Sequence, residues 1–368
     1  MKAYIPRTLP IDPLDATRLL PLVGRANAAL ARYDGLLQAI PEPEIMLSQL
    51  GLREAVLSSK IEGTQATVDQ VLEQEAGLSY SGSRYDDIVE INNYRDALAA
   101  SREYLIERPI RLSFVRSLHE ILMRGARGHN KSPGKFRLEQ NWIGRPGCTI
   151  ENATFVPPSP LQLVNYLEAW ERYLESNDLD VLIQAAVVHA QFELLHPFQD
   201  GNGRIGRLLI PLFLFHKRAL SQPMFYLSEY LENHRNDYYE RLQAISSDDD
   251  WDGWIEFFLR AVEAQAEANI RQTRAIRTLY DDLKLRLPQL VSSPFAIHVL
   301  DALFTRPTFS ISTLSKEISD TTGANEKTIA TLIRRLRDND VLREKRPAAG
   351  RRAAIMTFPA LLDLLRTT

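Results

Sequence analysis

Twelve consecutive residues, HPFQDGNGRIGR at 196–207, bring together one imidazole, one carboxylate, a Gly-Asn-Gly turn and two guanidiniums. His196 is the group in this run that can take a proton at neutral pH. Asp200 supplies the hard oxygen ligand that a nucleotide-bound Mg²⁺ favours. Gly201 and Gly203 permit a tight turn and the close backbone approach that phosphates need. Arg204 and Arg207 lie three apart, so on the opening turn of a helix both can reach one polyphosphate. The apolar segments on either side, VLIQAAVVHAQFELL (181–195) and RLLIPLFLFHKRAL (207–220), read as buried helices. A glycine-bearing polar loop between two such helices aims backbone N–H groups, and the positive end of the incoming helix, at an anion. The combination reads as a nucleotide-phosphate site with a base at its edge.

Each feature alone is common. A His-Pro pair ends many helices, Gly-Asn-Gly makes many turns, and an i, i+3 arginine pair usually faces solvent. Order and spacing together point to chemistry. The string also resembles the signature of the Fic family, His-x-Phe-x-(Asp/Glu)-Gly-Asn-Gly-Arg-x-x-Arg, with every fixed position present. That resemblance implies a mainly helical protein adenylyltransferase, which moves AMP from ATP to a Ser, Thr or Tyr hydroxyl of a target protein or of itself. It implies His196 as general base, Asp200 as the Mg²⁺ ligand, and Gly201, Asn202, Gly203, Arg204, Ile205, Gly206 and Arg207 as the nucleotide-binding run. In that scheme the N–H groups of Gly201, Asn202 and Gly203 cradle phosphate oxygens and the Asn202 amide adds a donor. Arg207 reaches the terminal phosphate, and Phe198 anchors the loop in the core. Tyr238, of the pair Tyr238-Tyr239, resembles the aromatic position that borders the adenine; a buried core aromatic is its other reading.

A second motif, Ser58-Ser59-Lys60-Ile61-Glu62-Gly63, is locally a helix end. Beside a Fic signature it matches (Ser/Thr)-x-x-x-Glu-(Gly/Asn), the family's autoinhibitory motif, with Ser58, Glu62 and Gly63 in the fixed places. A carboxylate paired with Arg207 removes the donor that a γ-phosphate needs and puts negative charge where more must land. The resemblance therefore implies a Glu62–Arg207 contact and inhibition from an N-terminal helix.

These residues need helices to hold them. Helical spacing is read at 16–37, 46–61, 67–75, 87–106, 113–124, 161–175, 179–195, 233–246 and 251–285,. Strand-like sequence is confined to NWIGRPGCTIENATFVPPSP (141–160), read as one β-hairpin,. By resemblance to family flaps, Asn152, Ala153, Thr154, Phe155 and Val156 form an edge that docks a target backbone by strand addition. A purely structural hairpin is the alternative. The expected organisation is an N-terminal helical domain with the inhibitory motif (1–108), a Fic catalytic core (109–285) and a C-terminal unit (290–368).

That last unit reads as helix 294–304, strand 308–310, helix 311–318, a turn at Gly323, helix 325–339, and two strand-like pieces joined at Ala348-Ala349-Gly350. The order resembles a winged helix-turn-helix. From 310 to 368 there are eleven Lys/Arg and seven Asp/Glu, a local charge of +4 in a chain of −3. Arg334, Arg335 and Arg337 on the recognition-like helix, with Arg343, Lys345, Arg346, Arg351 and Arg352 at the wing, could meet DNA phosphates or form a protein-binding face. A transcriptional or toxin-antitoxin-type regulator using the core as a nucleotide sensor is therefore the rival reading.

At 368 residues, 45% hydrophobic and 25% charged, the chain has the make-up of a globular protein of two or three domains,. A net charge of −3 argues against a nucleic-acid coat,. One cysteine, Cys148, excludes an internal disulfide framework and any multi-cysteine metal site,. The opening MKAYIPRTLPIDPLD has no leader-like apolar run and no stretch of 18 apolar residues occurs, so a cytoplasmic location and no membrane contact are expected,. A homodimer is expected from the resemblance alone. His119, His129, His189, His216, His234 and His298 lack metal-ligand spacing and are assigned to core or surface.

Overall fold

The computed structural model describes residues 2–125, 127, 130–145, 147–348 and 353–366. Expectations placed on His129, Ala349, Gly350, Arg351 and Arg352 lie outside the described residues. The chain is mainly helical, with one small three-stranded sheet. In order, its first helices are α1 (Ala16–Gln38), α2 (Pro43–Met46), α3 (Ser48–Ile61), α4 (Val68–Glu75), α5 (Ser83–Leu105) and α6 (Leu112–Leu122). Next come α7 (Pro160–Glu175), α8 (Val181–Leu195), α9 (Asn202–His216), α10 (Ser228–Asn233), α11 (Arg235–Asp248) and α12 (Trp251–Leu290). The remainder is α13 (Ala296–Thr305), β1 (Thr308–Ser310), α14 (Ile311–Thr322), α15 (Glu326–Asp338), β2 (Arg343–Arg346), β3 (Ile355–Thr357) and α16 (Pro359–Arg366).

Two compact units emerge, and they do not follow the three consecutive segments read from the sequence. The first comprises Met1–Ala39, Leu57–Thr64 and Val89–Ala268; the second comprises Ile40–Val56, Gln65–Ile88 and Asn269–Thr368. The cause is covalent: α3, α5 and α12 each contribute residues to both units.

The first unit is built around α8, which is apolar on every side and buried along almost its whole length. A helix of that composition is stable only when surrounded. Asp180 caps its start through a hydrogen bond from the Leu182 N–H (2.8 Å). Neighbouring indoles satisfy their one polar atom on it, Trp170 of α7 donating to Val188 O and Trp254 of α12 to Ala186 O, both at 2.9 Å. Helix α9, itself buried from Asn202 to Leu214, packs closely on α8, and the loop 196–201 joins the two.

The expected hairpin at 141–160 is corrected to a single antiparallel bridge between Ile143 and Phe155, with a 3₁₀ turn at Ile150–Asn152 in between. That turn satisfies its own N–H groups, Asn152 on Thr149 O and Ala153 on Ile150 O, so they form no second rung. Asn152 therefore sits in the turn and not on an extended edge. Helix α12 also runs past the expected end at 285, with Pro288 in its last turn while Leu287 and the following Val291 stay buried.

In the second unit the sheet has the order β1-β3-β2, antiparallel throughout, with Phe309 opposite Met356 and Arg343 opposite Thr357. Helices α13, α14 and α15 pack on one another, and α4 packs on β1. On α15, Ile329, Leu332, Ile333 and Leu336 face inward, while Lys327, Arg334 and Arg335 are exposed. Arg337 pairs with Asp338, and Lys345 with Glu73 of α4. No helix among the described residues is long and apolar enough to cross a membrane.

Candidate active site

His196 terminates α8 in the left-handed region (φ 47°, ψ 60°), an unusual place for a non-glycine residue,. Its Nδ1 lies 3.3 Å from Glu193 O. A carbonyl can only accept, so Nδ1 carries the proton and Nε2 keeps the lone pair. Burial holds the imidazole down at about 4, against smaller upward pulls from the Glu193 carbonyl and the Glu62 carboxylate. The ring is therefore neutral, and able to accept a proton, at neutral pH.

The following loop is held almost entirely through its backbone. Asn202 Oδ1 accepts from Phe198 N (2.8 Å) and its Nδ2 donates to Phe198 O (2.9 Å), closing the turn on itself. The Asn202 amide, expected to add a phosphate donor, thus has one of its two N–H bonds engaged by Phe198 O,. Asn141 also donates to Phe198 O, at 3.2 Å. Gly201 sits at φ 77° with Met123 Sδ 3.1 Å from where a Cβ would be, so geometry and space both require glycine,. Phe198 is fully buried, as the loop's anchor was expected to be.

His119 of α6, assigned from the sequence to core or surface, is buried and braces the same loop. Its Nδ1 accepts from Gly134 N (2.9 Å), so Nε2 is the protonated nitrogen and donates to Asp200 O (3.0 Å),. The ring stacks on Phe198 at 3.8 Å, and burial lowers its pKa to about 4, keeping it neutral. The available signal was its position on the apolar stripe Phe114, Val115, Leu118, Leu122. Arg137, two per cent exposed, was missed altogether; it donates to the carbonyls of His196 and Pro158, at 2.9 and 2.6 Å.

The two arginines of the signature have different surroundings. Arg204 is buried against Glu90 of α5 (3.1 Å) and lies 3.5 Å from Asp200 Oδ1. Among the described residues, the hydrogen bonds of Arg207 all go to the end of α3: Nε donates to Ser58 Oγ (2.9 Å), and Nη2 to Ser58 O (2.9 Å) and Glu62 Oε1 (2.7 Å). Burial works against charge on both partners of the Glu62–Arg207 pair. Their mutual attraction and hydrogen bond outweigh it, holding Glu62 below its usual value and Arg207 above its own. Gly203 lies against the pair, since a Cβ there would collide with Glu62 Oε1. The α3 end is itself anchored, Gly63 turning at φ 100° and Arg235 donating to Ile61 O (2.5 Å).

Other expected residues lie elsewhere. Ile205 is fully buried with its N–H on Gly201 O, and Gly206 packs against Glu193 and His189. Tyr238 is a core aromatic whose hydroxyl meets His189 Nε2 at 3.0 Å, whereas Tyr239 keeps 43% exposure. Asp200 has a half-exposed side chain, and its Oδ1 accepts from Gly201 N (2.6 Å). No cluster of three or more potential metal ligands exists among the described residues, so a Mg²⁺ ion would draw most of its ligands from phosphate and water,. In the flap, Ala153 and Val156 are buried, and Val156 O already accepts from Tyr4 N (2.8 Å), whose ring touches Phe155. The first-turn N–H groups of α9, at Asn202, Gly203 and Arg204, have no intrahelical acceptor and define the anion-seeking end of the site,.

Residues 20–103 match the Fic/DOC family N-terminal model and residues 109–214 the Fic/DOC family model. The chain belongs to the Fic/DOC family. It is 28% identical over 229 residues to a protein adenylyltransferase Fic of Nematostella vectensis, covering 61% of this chain and 48% of that protein. A protein of the same name from Drosophila virilis is 27% identical over 305 residues, covering 80% and 56%. The chain thus spans about half the length of these curated relatives. Among solved structures, a Fic family protein from Desulfovibrio desulfuricans G20 superposes with a TM-score of 0.60 at 19% identity, covering 97% of this chain and 98% of that one. Residues 134–508 of Fic-1 from C. elegans give 0.54 at 19% identity, over 70% and 73%.

Proposed function

We propose that the chain is a protein adenylyltransferase, using ATP as donor and held inactive by Glu62. The carrying observation is the triple grip of Ser58 and Glu62 on Arg207, a buried guanidinium with no other partner among the described residues. An acceptor hydroxyl attacks the α-phosphorus, its proton passes to His196 Nε2, and the bond to the pyrophosphate oxygen breaks. The N–H groups at the start of α9 stabilise the charge that develops on phosphate oxygens. Asp200 would hold a Mg²⁺ ion, which would supply charge neutralisation to the phosphates. With Glu62 on Arg207, the γ-phosphate lacks its guanidinium, so ATP binds with the α-phosphate out of line.

The test is Glu62→Gly incubated with α-labelled ATP. A closed state favoured by ~3 kcal/mol leaves about 1% of molecules competent, so release raises labelling on the order of a hundredfold. Glu62→Gly matching the unmodified chain on any lysate would sink the inhibitory reading. Arg207→Ala stays inactive with or without Glu62, because inhibitor and γ-phosphate share that partner.

A second reading concerns the other unit, whose β1-β3-β2 sheet and exposed Lys327, Arg334 and Arg335 on α15 suit a winged helix that meets a DNA backbone,. Duplex binding that weakens steeply with salt, and further on neutralising Arg334 and Arg335, is expected. Failure of micromolar protein to shift a duplex at low salt assigns the face to protein contacts.

A further inference from the structure

Arg137 lies nine-tenths and more buried, yet among the described residues its side-chain donors go to backbone carbonyls and to no carboxylate. An unpaired buried guanidinium costs free energy, and here burial alone pulls its pKa down to about 10,. Its donors go to backbone carbonyls from different places: Nε to His196 O (2.9 Å), Nη2 to Pro158 O (2.6 Å) and Leu195 O (3.4 Å), and Nη1 to Glu139 O (3.3 Å). Its own N–H donates to Pro197 O (2.9 Å). Leu195 and His196 present the outward carbonyls of the α8 C-terminus, the negative end of that dipole,. Pro158 is the foot of the flap, two residues beyond Val156. One rigid fork thus ties the residue bearing the imidazole to the segment expected to present the acceptor.

Resting on the adenylyltransferase reading, we infer that Arg137 is a positioning residue that sets the flap and the His196 imidazole in register, so that its loss falls on the acceptor half of the reaction and spares nucleotide binding. The nucleotide end of the loop is held separately, by His119 on Asp200 O and by Asn202 on Phe198. A lysine in place of Arg137 keeps the charge but cannot reach divergent carbonyls with a planar fork. Misplacing reacting groups by about 1 Å costs on the order of a hundredfold.

The experiment uses the full chain carrying Glu62→Gly, alone and with Arg137→Lys or Arg137→Gln. ATP affinity is measured by calorimetry, and AMP transfer by α-labelled ATP with the chain itself as acceptor. The His196 ring is titrated by NMR, its signal assigned with His196→Asn. The charged groups acting on that ring are Arg137, which lowers its pKa, and Glu62 and Asp200, which raise it. Both Arg137 variants should keep ATP affinity within about twofold of the parent while transfer falls about a hundredfold. Arg137→Gln should raise the His196 titration midpoint and Arg137→Lys should leave it in place. Transfer by Arg137→Lys at the parental rate overturns the inference, as does ATP affinity falling in step with transfer. Should Arg137→Gln not fold, Arg137→Lys decides. A Glu62→Gly parent that transfers no AMP overturns the adenylyltransferase reading itself, and a His196 midpoint unmoved by Arg137→Gln overturns the register even if transfer occurs.

Discussion

The signature loop and the flap share Arg137 as a support, and they are built in opposite ways. Between His196 and Asn202 four backbone groups meet side chains from the core: His196 O meets Arg137, Phe198 N and O meet Asn202, and Asp200 O meets His119. The flap, by contrast, hangs on the Ile143–Phe155 bridge, with Trp142 and Ile143 both about 40% exposed. Buried, fully paired networks specify one geometry. A single exposed bridge leaves strand atoms open to an incoming chain. The loop is therefore constructed for chemistry that tolerates little displacement, and the flap for partners whose sequence varies.

That contrast breaks most visibly at His196. His196→Ala should lower AMP transfer in the Glu62→Gly background by ~10²–10⁴ while ATP affinity stays nearly unchanged. Undiminished labelling would remove the imidazole from the mechanism. Because burial holds the ring at about 4, transfer should stay level from neutral pH downward and fall only as pH approaches that value. The sign follows from the neutral form being the base, and removal of the Glu62 carboxylate, which raises the ring's pKa, moves the limb no higher.

Asn202 tests the bracing without touching a reacting atom. Asn202→Ala leaves Phe198 N unpaired in a buried turn, at about 1–3 kcal/mol, while Phe198 O keeps only the longer bond from Asn141,. Thermal unfolding should shift down accordingly, and transfer should fall with ATP affinity. A variant as stable as its parent would mean that the loop is held by packing and not by this turn.

Much of this was legible in the sequence because it is local. The phosphate-seeking character of 196–207 and the buried helices flanking it follow from residue type and a period of 3.6, whereas the Glu62 contact to Arg207 was implied by the resemblance to the Fic inhibitory motif,. The fold of the Asn202 amide back onto Phe198 was not legible, because a free amide and one folded back have the same sequence. Tyr238 and Tyr239 differ by one position, and only the packing of α11 decides which is core. Arg137 left no sequence trace, since its partners are carbonyls, and every residue has one. The flap was overcalled for a related reason: alternation and turn residues at 141–160 suit a hairpin, but nothing in them shows that the Ile150–Asn152 turn satisfies its own N–H groups.

The smallest effect on stability is expected in the flap. Thr154 N donates to Ile143 O at 2.8 Å, while Phe155 N donates to the same carbonyl at 3.0 Å. Thr154→Pro removes the first bond and keeps the second. The preceding residue tolerates the ring, because Ala153 already has the extended conformation, φ −66° and ψ 149°, that a following proline demands,. An exposed hydrogen bond of this kind contributes about 1 kcal/mol, so unfolding should move far less than in Asn202→Ala. Proline also displaces an edge that an incoming strand would need. In the Glu62→Gly background, AMP transfer to protein should therefore drop several-fold, while slow AMP release to water, which uses no docking edge, continues at the parental rate. Equal losses in both would place Thr154 in the machinery shared with the loop and erase the distinction between a rigid site and an adaptable flap. A loss confined to protein acceptors would locate acceptor selection in residues 152–156 and leave the chemistry to 196–207.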